Sequence, residues 1–419
     1  ELLADVTTLG AKQLKALGFN CLLAPVLDVL TNPLNPVIAT RALGDTPQKV
    51  SQLGSVMIKA IADAGIVAVG KHFPGHGSTS EDSHTDLAVN KADCESVWRT
   101  DLVPFRNCIN ELPAILTAHV WLSSVDQEPL PASLSPRITR GILRDYLGFQ
   151  GLVMTDDMIM KAITSQYGLK EAVAMALEAG NDLLLVCSTI EETLAVHEYL
   201  VGEVTSGRLS EELINAALER TEKLFSQAPQ VIPESKIEEF KKKLERDTKR
   251  SMLASVRAIA MLRGELPESR SGEWLVLVPR HPRYPLNITE HLNAQIKALK
   301  IKDLKFTEIR YPLDPTSENI WELAAKTVER QVIYVTYRSL LNRGQEELGK
   351  AIAADARQAI AVHAEVPFDI LLLPDFENCL CTFDPSEQAM KALALVLLGE
   401  VEPAGTCPTN LQFILQTAP

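Results

Sequence analysis

The sequence predicts an α/β protein, with a parallel, helix-covered sheet over residues 1–225 and a second, smaller α/β unit beyond it. Through the first half, short apolar strand candidates alternate with amphipathic helical stretches. The strands are apolar almost without a break, as strands covered on both faces must be. Polar residues recur at their carboxyl ends: Asp28, Lys71 with His72, His119, and Asp156 with Asp157. A rim that collects polar groups from several strands is the mark of a closed barrel, whereas an open doubly wound sheet gathers them at one crevice.

In chain order the predicted strands are 21–29, 66–73, 114–120, 151–157 and 182–187. Helical spacing of apolar residues predicts helices over 46–64, 97–110, 136–147, 169–179 and 190–204. Residues 226–235 carry two prolines and read as a linker, and a charge-rich helix over about 236–263 follows it. Its charges mix signs at helical spacing, the pattern of a solvated face. The segment 226–263 thus joins the first domain to a second, 264–419. Strands over 274–278, 332–337 and 370–373 and helices over 317–329 and 386–398 are expected there.

Composition narrows the function. A net charge of −13 with no basic block argues against a nucleic-acid or anionic-membrane partner. No apolar run is long enough for a membrane span. Seven scattered cysteines, an odd number, exclude a full disulfide framework and point to a reducing compartment, so a cytoplasmic location is expected. The chain opens on Glu1 inside a helical pattern, which leaves export through an upstream signal segment open.

The densest chemistry lies in Lys71-His72-Phe73-Pro74-Gly75-His76-Gly77-Ser78-Thr79-Ser80-Glu81-Asp82-Ser83-His84. Pro74, Gly75 and Gly77 rule out a long helix, so these groups sit on a strand end and the loop after it. The same break removes the helical geometry of a zinc site from His72 and His76. In Asp82-Ser83-His84, an extended loop would put acid and imidazole on one face, where the carboxylate fixes one tautomer and favours the protonated ring. That is a proton donor usable near neutral pH. Asp156 and Asp157 end an apolar strand, and alternation sends neighbouring side chains to opposite faces. One of them is then free for chemistry, while the ordinary role for the other is a helix N-cap. Lys71, His72 and His119 suit either hydroxyl binding or structural bonds.

These strings, together with Thr117-Ala118-His119, Gly151 to Asp156 and Asn35-Pro36-Val37-Ile38-Ala39-Thr40-Arg41-Ala42-Leu43-Gly44-Asp45, resemble the bacterial β-N-acetylglucosaminidases of glycoside hydrolase family 3 over nearly all of residues 1–225. The resemblance implies a (β/α)8 TIM-type barrel followed by a smaller α/β sandwich domain. It implies retaining hydrolysis of terminal, non-reducing β-linked N-acetylglucosamine, with peptidoglycan-derived fragments as the expected source. Asp156 would be the nucleophile, His84 the acid and base, and Asp82 its orienting partner. Arg41, Lys71 and His72 would bind sugar hydroxyls, and Asp157 would cap the following helix.

No cofactor and no metal is implied, and the expected partner is a small saccharide or muropeptide. Family members open the barrel with a strand and an acidic sugar-binding motif, so the first βα unit is missing from this chain. The family's Arg-Ser-Phe-Gly also reads Arg41-Ala42-Leu43-Gly44. The alternatives are a β-glucosidase or β-xylosidase of the same family, phosphorolysis in place of hydrolysis, and an inactive glycan-binding protein on a truncated barrel.

Overall fold

Five short parallel strands, Cys21–Leu22, Val67–Phe73, Ala114–Thr117, Leu152–Asp157 and Leu183–Leu185, lie side by side in the order in which the chain makes them. The computed structural model describes residues 1–79, 87–226, 232–267 and 271–411. Within it the chain divides into two units, Glu1–Lys241 and Lys242–Pro419.

Alternation along the strands of the first unit builds two cores. Ala68, Ile115 and Val153 pack with Ile58, Ile61, Phe105, Ile138 and Leu143 from the covering helices. Val69, Ala114, Leu116, Leu152 and Met154 face the other way, with Val67, Leu183, Leu185, Leu224 and Phe225 against them. Both sheet faces are therefore apolar, which is why the strands read as unbroken hydrophobic runs. The helix Pro47–Asp63 starts where Pro47 supplies a preset φ at the first turn.

Several elements depart from the sequence expectation. The stretch 21–29 is a ladder only at Cys21–Leu22, because Pro25 has no N–H to offer. Leu27 nonetheless donates to the Lys71 carbonyl at 2.6 Å, so the segment still runs beside its neighbour. The helix expected over 97–110 is two, Cys94–Arg99 and Val103–Cys108, broken at Thr100–Leu102 ahead of Pro104. The strand expected through Val120 stops at Thr117. A second pair, Ala88–Asn90 with Val120–Leu122, takes over beyond it, leaving His119 between two strands.

The second unit is a six-stranded sheet with helices on both faces. Five strands are parallel: Gly272–Arg280, Leu304–Pro312, Gln331–Thr336, Gln358–His363 and Asn378–Cys381. Trp274, Val276 and Val278 face Ile288–Leu299 and Glu387–Leu397, while Leu275 and Leu277 face Ser317–Ala325 and Gly344–Asp355. The long helix ends at Ala258, not at 263. Ala260–Arg263 instead pairs antiparallel with Asn378–Cys381 as the sixth strand, satisfying a sheet edge that a helix would leave bare. Of residues 370–373, expected as a strand, the first three lie in the 3-10 turn Pro367–Leu372 and Leu373 ends it. Among the described residues no helix is long and apolar enough to cross a membrane.

Candidate active site

Two inward rows of the first sheet end in charge. Leu152 and Met154 lie on the inner face, the pairing with Leu183–Leu185 slips between Met154 and Asp157, and Asp156, at that slip, comes under the charges of His72, His119 and Lys71. Val67 and Val69 likewise lead to Lys71. The pairing with Ala114–Thr117 then slips, with Lys71 opposite Leu116 and Phe73 opposite Thr117, so His72 is an extra residue in the ladder. A bulge of this kind re-aims a side chain, and here it turns consecutive residues toward one centre. The Lys71–His72 and Phe73–Pro74 peptide bonds are both cis.

Asp28 holds this end together. It is fully buried, and its carboxylate accepts the His72 Nδ1 proton at 2.6 Å and the His76 amide at 2.7 Å. The His72 amide lies 3.3 Å from both oxygens. With Nδ1 committed, His72 presents Nε2 outward, 3.4 Å from Arg41 Nη2. Burial alone would raise the Asp28 carboxyl, but attraction and hydrogen bonding from His72 and His76 outweigh it and hold the group below its ordinary value.

Arg41 is placed by a clamp between loops. Asn35 accepts from the amides of Val37 and Ile38 at 3.0 and 2.7 Å through Oδ1. Its Nδ2 donates to the carbonyls of His76 and Thr79 at 2.7 and 2.9 Å. The tight turn Ala39–Arg41 follows, with Arg41 donating to the Val37 carbonyl. Gly77 is required at the same place, because a Cβ there would fall 1.9 Å from the Val29 carbonyl oxygen. His76 is buried, its Nδ1 is 2.8 Å from the Thr79 hydroxyl, and burial pushes its pKa down to about 4.

Asp156 sits in a cationic cup. Burial raises its pKa, yet His72, His119, the Asp157 amide and Lys71 together lower it below the ordinary value, so it is a carboxylate at neutral pH. Lys71 is itself lowered, by burial and by Arg41, against the attraction of Asp156 and Asp28. Asp157 faces away. Its Oδ1 accepts from Ile159 and Cys187 amides at 3.3 and 2.9 Å, tying the strand's exit turn to the loop after Leu183–Leu185. The short helix Lys161–Thr164 has Met160 at its N-cap, so Asp157 closes a turn and does not cap that helix.

His119 is structural. Its Nδ1 accepts from the Ser133 hydroxyl at 2.8 Å and its Nε2 donates to the Asp157 carbonyl at 3.0 Å. Burial lowers its pKa, against the attraction of Asp156 and the bond to the Asp157 carbonyl. Asn181 extends the chain, donating to the Ser133 carbonyl and accepting from Thr117. His119→Ala is expected to cost about 1–3 kcal/mol for each buried partner left unpaired. Urea denaturation checks this, and an unchanged midpoint would show that the network carries no stability.

The structure thus brings Arg41, Lys71, His72 and Asp156 to one place, with Asp28 and Asn35 behind them. Asp82 and His84 lie outside the described residues. The roles of Asn35 and Asp28 go unassigned in the sequence reading. The signal for Asp28 was a carboxylate inside the apolar run 21–30, which has no place there without partners. Among the described residues no group of three or more His, Cys, Asp or Glu side chains could hold a metal ion.

Comparison with known proteins fits this arrangement. A β-hexosaminidase A from Pseudoalteromonas piscicida is 32% identical over 237 residues, which is 52% of this chain and 40% of that protein. A β-hexosaminidase from Thiobacillus denitrificans is 41% identical over 189 residues, covering 45% of this chain and 52% of that protein. The chain therefore spans about half the length of these curated relatives. The solved structure of a glycoside hydrolase family 3 β-N-acetylglucosaminidase from Paenibacillus sp. str. FPU-7 superposes with a TM-score of 0.83 at 34% identity, covering 98% of this chain and 80% of that one. The model of the glycosyl hydrolase family 3 N-terminal domain matches residues 1–224, more than half of the sequence, and the chain belongs to that family.

Proposed function

We propose that the protein is a retaining exo-glycosidase that removes terminal, non-reducing β-linked N-acetylglucosamine, with peptidoglycan-derived fragments as the source of substrate. The observation that carries this reading is the carboxylate Asp156, kept ionised under the influence of His72 and Lys71 at the carboxyl end of its strand. Similarity at 34% identity over 98% of the chain to a β-N-acetylglucosaminidase supports the choice of sugar. We also read the first unit as the greater part of a (β/α)8 barrel. Its strands keep chain order, where an open doubly wound sheet would reverse at a switch point. Catalysis is assigned to residues 1–225 and a sandwich domain to 264–419. Seven free cysteines, two of them exposed, favour a cytoplasmic setting.

The mechanism follows from the cup. Arg41, Lys71 and His72 hold the sugar hydroxyls, and Asp156 attacks the anomeric carbon as the bond to the leaving oxygen breaks. His84, oriented by Asp82, gives that oxygen its proton. A water then attacks the anomeric carbon, His84 takes its proton, and the ester bond to Asp156 breaks. The two inversions leave the β configuration unchanged. A carboxylate and a proton donor suffice, so the reading calls on no cofactor.

Hydrolysis of aryl β-N-acetylglucosaminide against aryl β-glucoside tests the proposal. Release from the acetamido sugar alone is expected. Preference for the glucoside would move the assignment to a β-glucosidase, and silence on both sugars from folded protein would leave a glycan-binding role. His84→Ala should spare aryl glycosides with good leaving groups and lose about 10²–10⁴-fold on poor ones, the worth of general acid catalysis. Equal losses on both would remove His84 from the role of acid.

A further inference from the structure

Asp101 is a second buried carboxylate beneath the same loop, and nothing in the proposed mechanism uses it. It lies in the break between the helices Cys94–Arg99 and Val103–Cys108 and is 2% exposed. Its Oδ2 accepts from Asn90 Nδ2 at 2.8 Å. Its Oδ1 makes no well-formed hydrogen bond among the described residues, and neither does the buried hydroxyl of neighbouring Ser78. Gly75 passes directly over it. At φ +133 only glycine is unstrained, and a Cβ there would sit 2.7 Å from Asp101 Cβ. The loop resting on Asp101 therefore carries both His76, whose amide anchors Asp28, and Ser78.

Two buried, unpartnered polar groups side by side are costly unless a proton joins them. A protonated Asp101 supplies one: Oδ2 still accepts from Asn90, while an O–H on Oδ1 can donate to Ser78. An ionised Asp101 would put a second negative charge near Asp28, the charged group that faces it. Arg99 on the preceding helix is exposed and paired with Glu95, so it offers no compensation. Burial, reinforced by Asp28, raises the Asp101 carboxyl to about 7 against the hydrogen bond of Asn90 and the lowering influence of the nearby Ser78 hydroxyl.

We propose that Asp101 is a positioning residue which, carrying a proton, bridges Asn90 and Ser78 and so holds the Pro74–Thr79 loop in the bend that keeps Asp28 and His72 in place. The inference rests on the glycosidase reading for its catalytic consequence only. An acid whose folded pKa lies above its unfolded one binds its proton more tightly when folded. Its stabilisation is therefore present at low pH and is lost as pH rises from about 4 toward 7.

The experiment compares wild type with Asp101→Asn, Asp101→Ala and Ser78→Ala. Melting temperature is followed from pH 4 to 8, and kcat and KM on aryl β-N-acetylglucosaminide from pH 5 to 8.5. Asparagine copies the protonated acid, one acceptor and one donor. Asp101→Asn should therefore keep kcat/KM within about threefold of wild type at pH 6, while alanine raises KM about tenfold or more. The asparagine variant should also lose the part of the melting-temperature decline that wild type shows toward pH 7, and Ser78→Ala should move the alkaline limb of kcat/KM to lower pH. Superimposable melting profiles for wild type and Asp101→Asn, or wild-type KM and pH profile in Asp101→Ala, would overturn the proposal. If no form turns over the glycoside, the hydrolase reading fails, and the proton on Asp101 is still decided by the melting profiles.

Discussion

Asp156→Asn is expected to lower kcat/KM for aryl β-N-acetylglucosaminide by at least about 10⁴-fold, a loss on the scale of removing the nucleophile of a covalent enzyme. An amide is nearly isosteric with the carboxylate and can still accept from the Asp157 amide, now 2.9 Å away, so the fold and its melting temperature should change little. What disappears is the negative charge that Lys71 and His72 hold ready and the electron pair that bonds to the anomeric carbon. Asp157→Asn is the control: its Oδ1 needs only to accept from two amides, which an amide oxygen also does, and activity should stay within about threefold. Asp156→Ala supplied with azide should regain turnover and yield the α-glycosyl azide, because the anion attacks from the face that the carboxylate has vacated. Retention of more than a tenth of wild-type activity by Asp156→Asn, or a β-azide product, would move the nucleophile elsewhere.

The choice between Asp156 and Asp157 shows what local sequence can and cannot say. Strand alternation alone established that only one of them faces the centre, and it left open which one. The answer lies in the pairing, because the strand slips against Leu183–Leu185 between Met154 and Asp157, and it is Asp156 that comes under the charges of His72, His119 and Lys71. His72 follows the same logic. A regular strand would have turned it away from Lys71, and the bulge against Ala114–Thr117 that brings it back is a property of two strands together. Pairing partners also decide the second unit. Ile370-Leu371-Leu372-Leu373 is as apolar as any strand of the sheet, yet Pro367 and Pro374 bracket it and it forms a tight helical turn. The run at 260–263 carries a helical pattern forward from 256, and the open edge beside Asn378–Cys381 makes a strand of it. Fold class, strand-end polarity and the Lys71–His72 cluster were legible because each is written in a few consecutive residues. Asp28 and Asn35 act across 41 to 48 residues of chain, and no local window displays that.

The second large effect is expected at Asp28, which touches no substrate in the mechanism above. Three N–H groups converge on its two oxygens, the His72 ring, the His72 amide and the His76 amide, all buried. Asp28→Ala would strand those donors, and breaking a buried pair of this kind costs about 3–5 kcal/mol. Asp28→Asn is the sharper test because volume is preserved. An amide offers one acceptor oxygen and turns an NH2 toward a site where every neighbour is already a donor, so one N–H must lose its partner. The His72 ring is then free to rotate, and displacement of about 1 Å at the group proposed to bind sugar is enough to cost about 10²-fold in kcat/KM. The pH dependence has a definite sign. The folded-state pKa of Asp28 is depressed, so its stabilisation is fully present above the unfolded value of about 4 and is lost as pH falls through the lower folded value. Wild type should therefore lose melting temperature steeply below about pH 4, and Asp28→Asn, already destabilised at neutral pH, should lose less over the same range. If Asp28→Asn keeps wild-type activity and the same acid limb, the His72 ring is fixed by something other than Asp28. The cationic cup around Asp156 would then be assembled from Lys71 and Arg41 without that anchor.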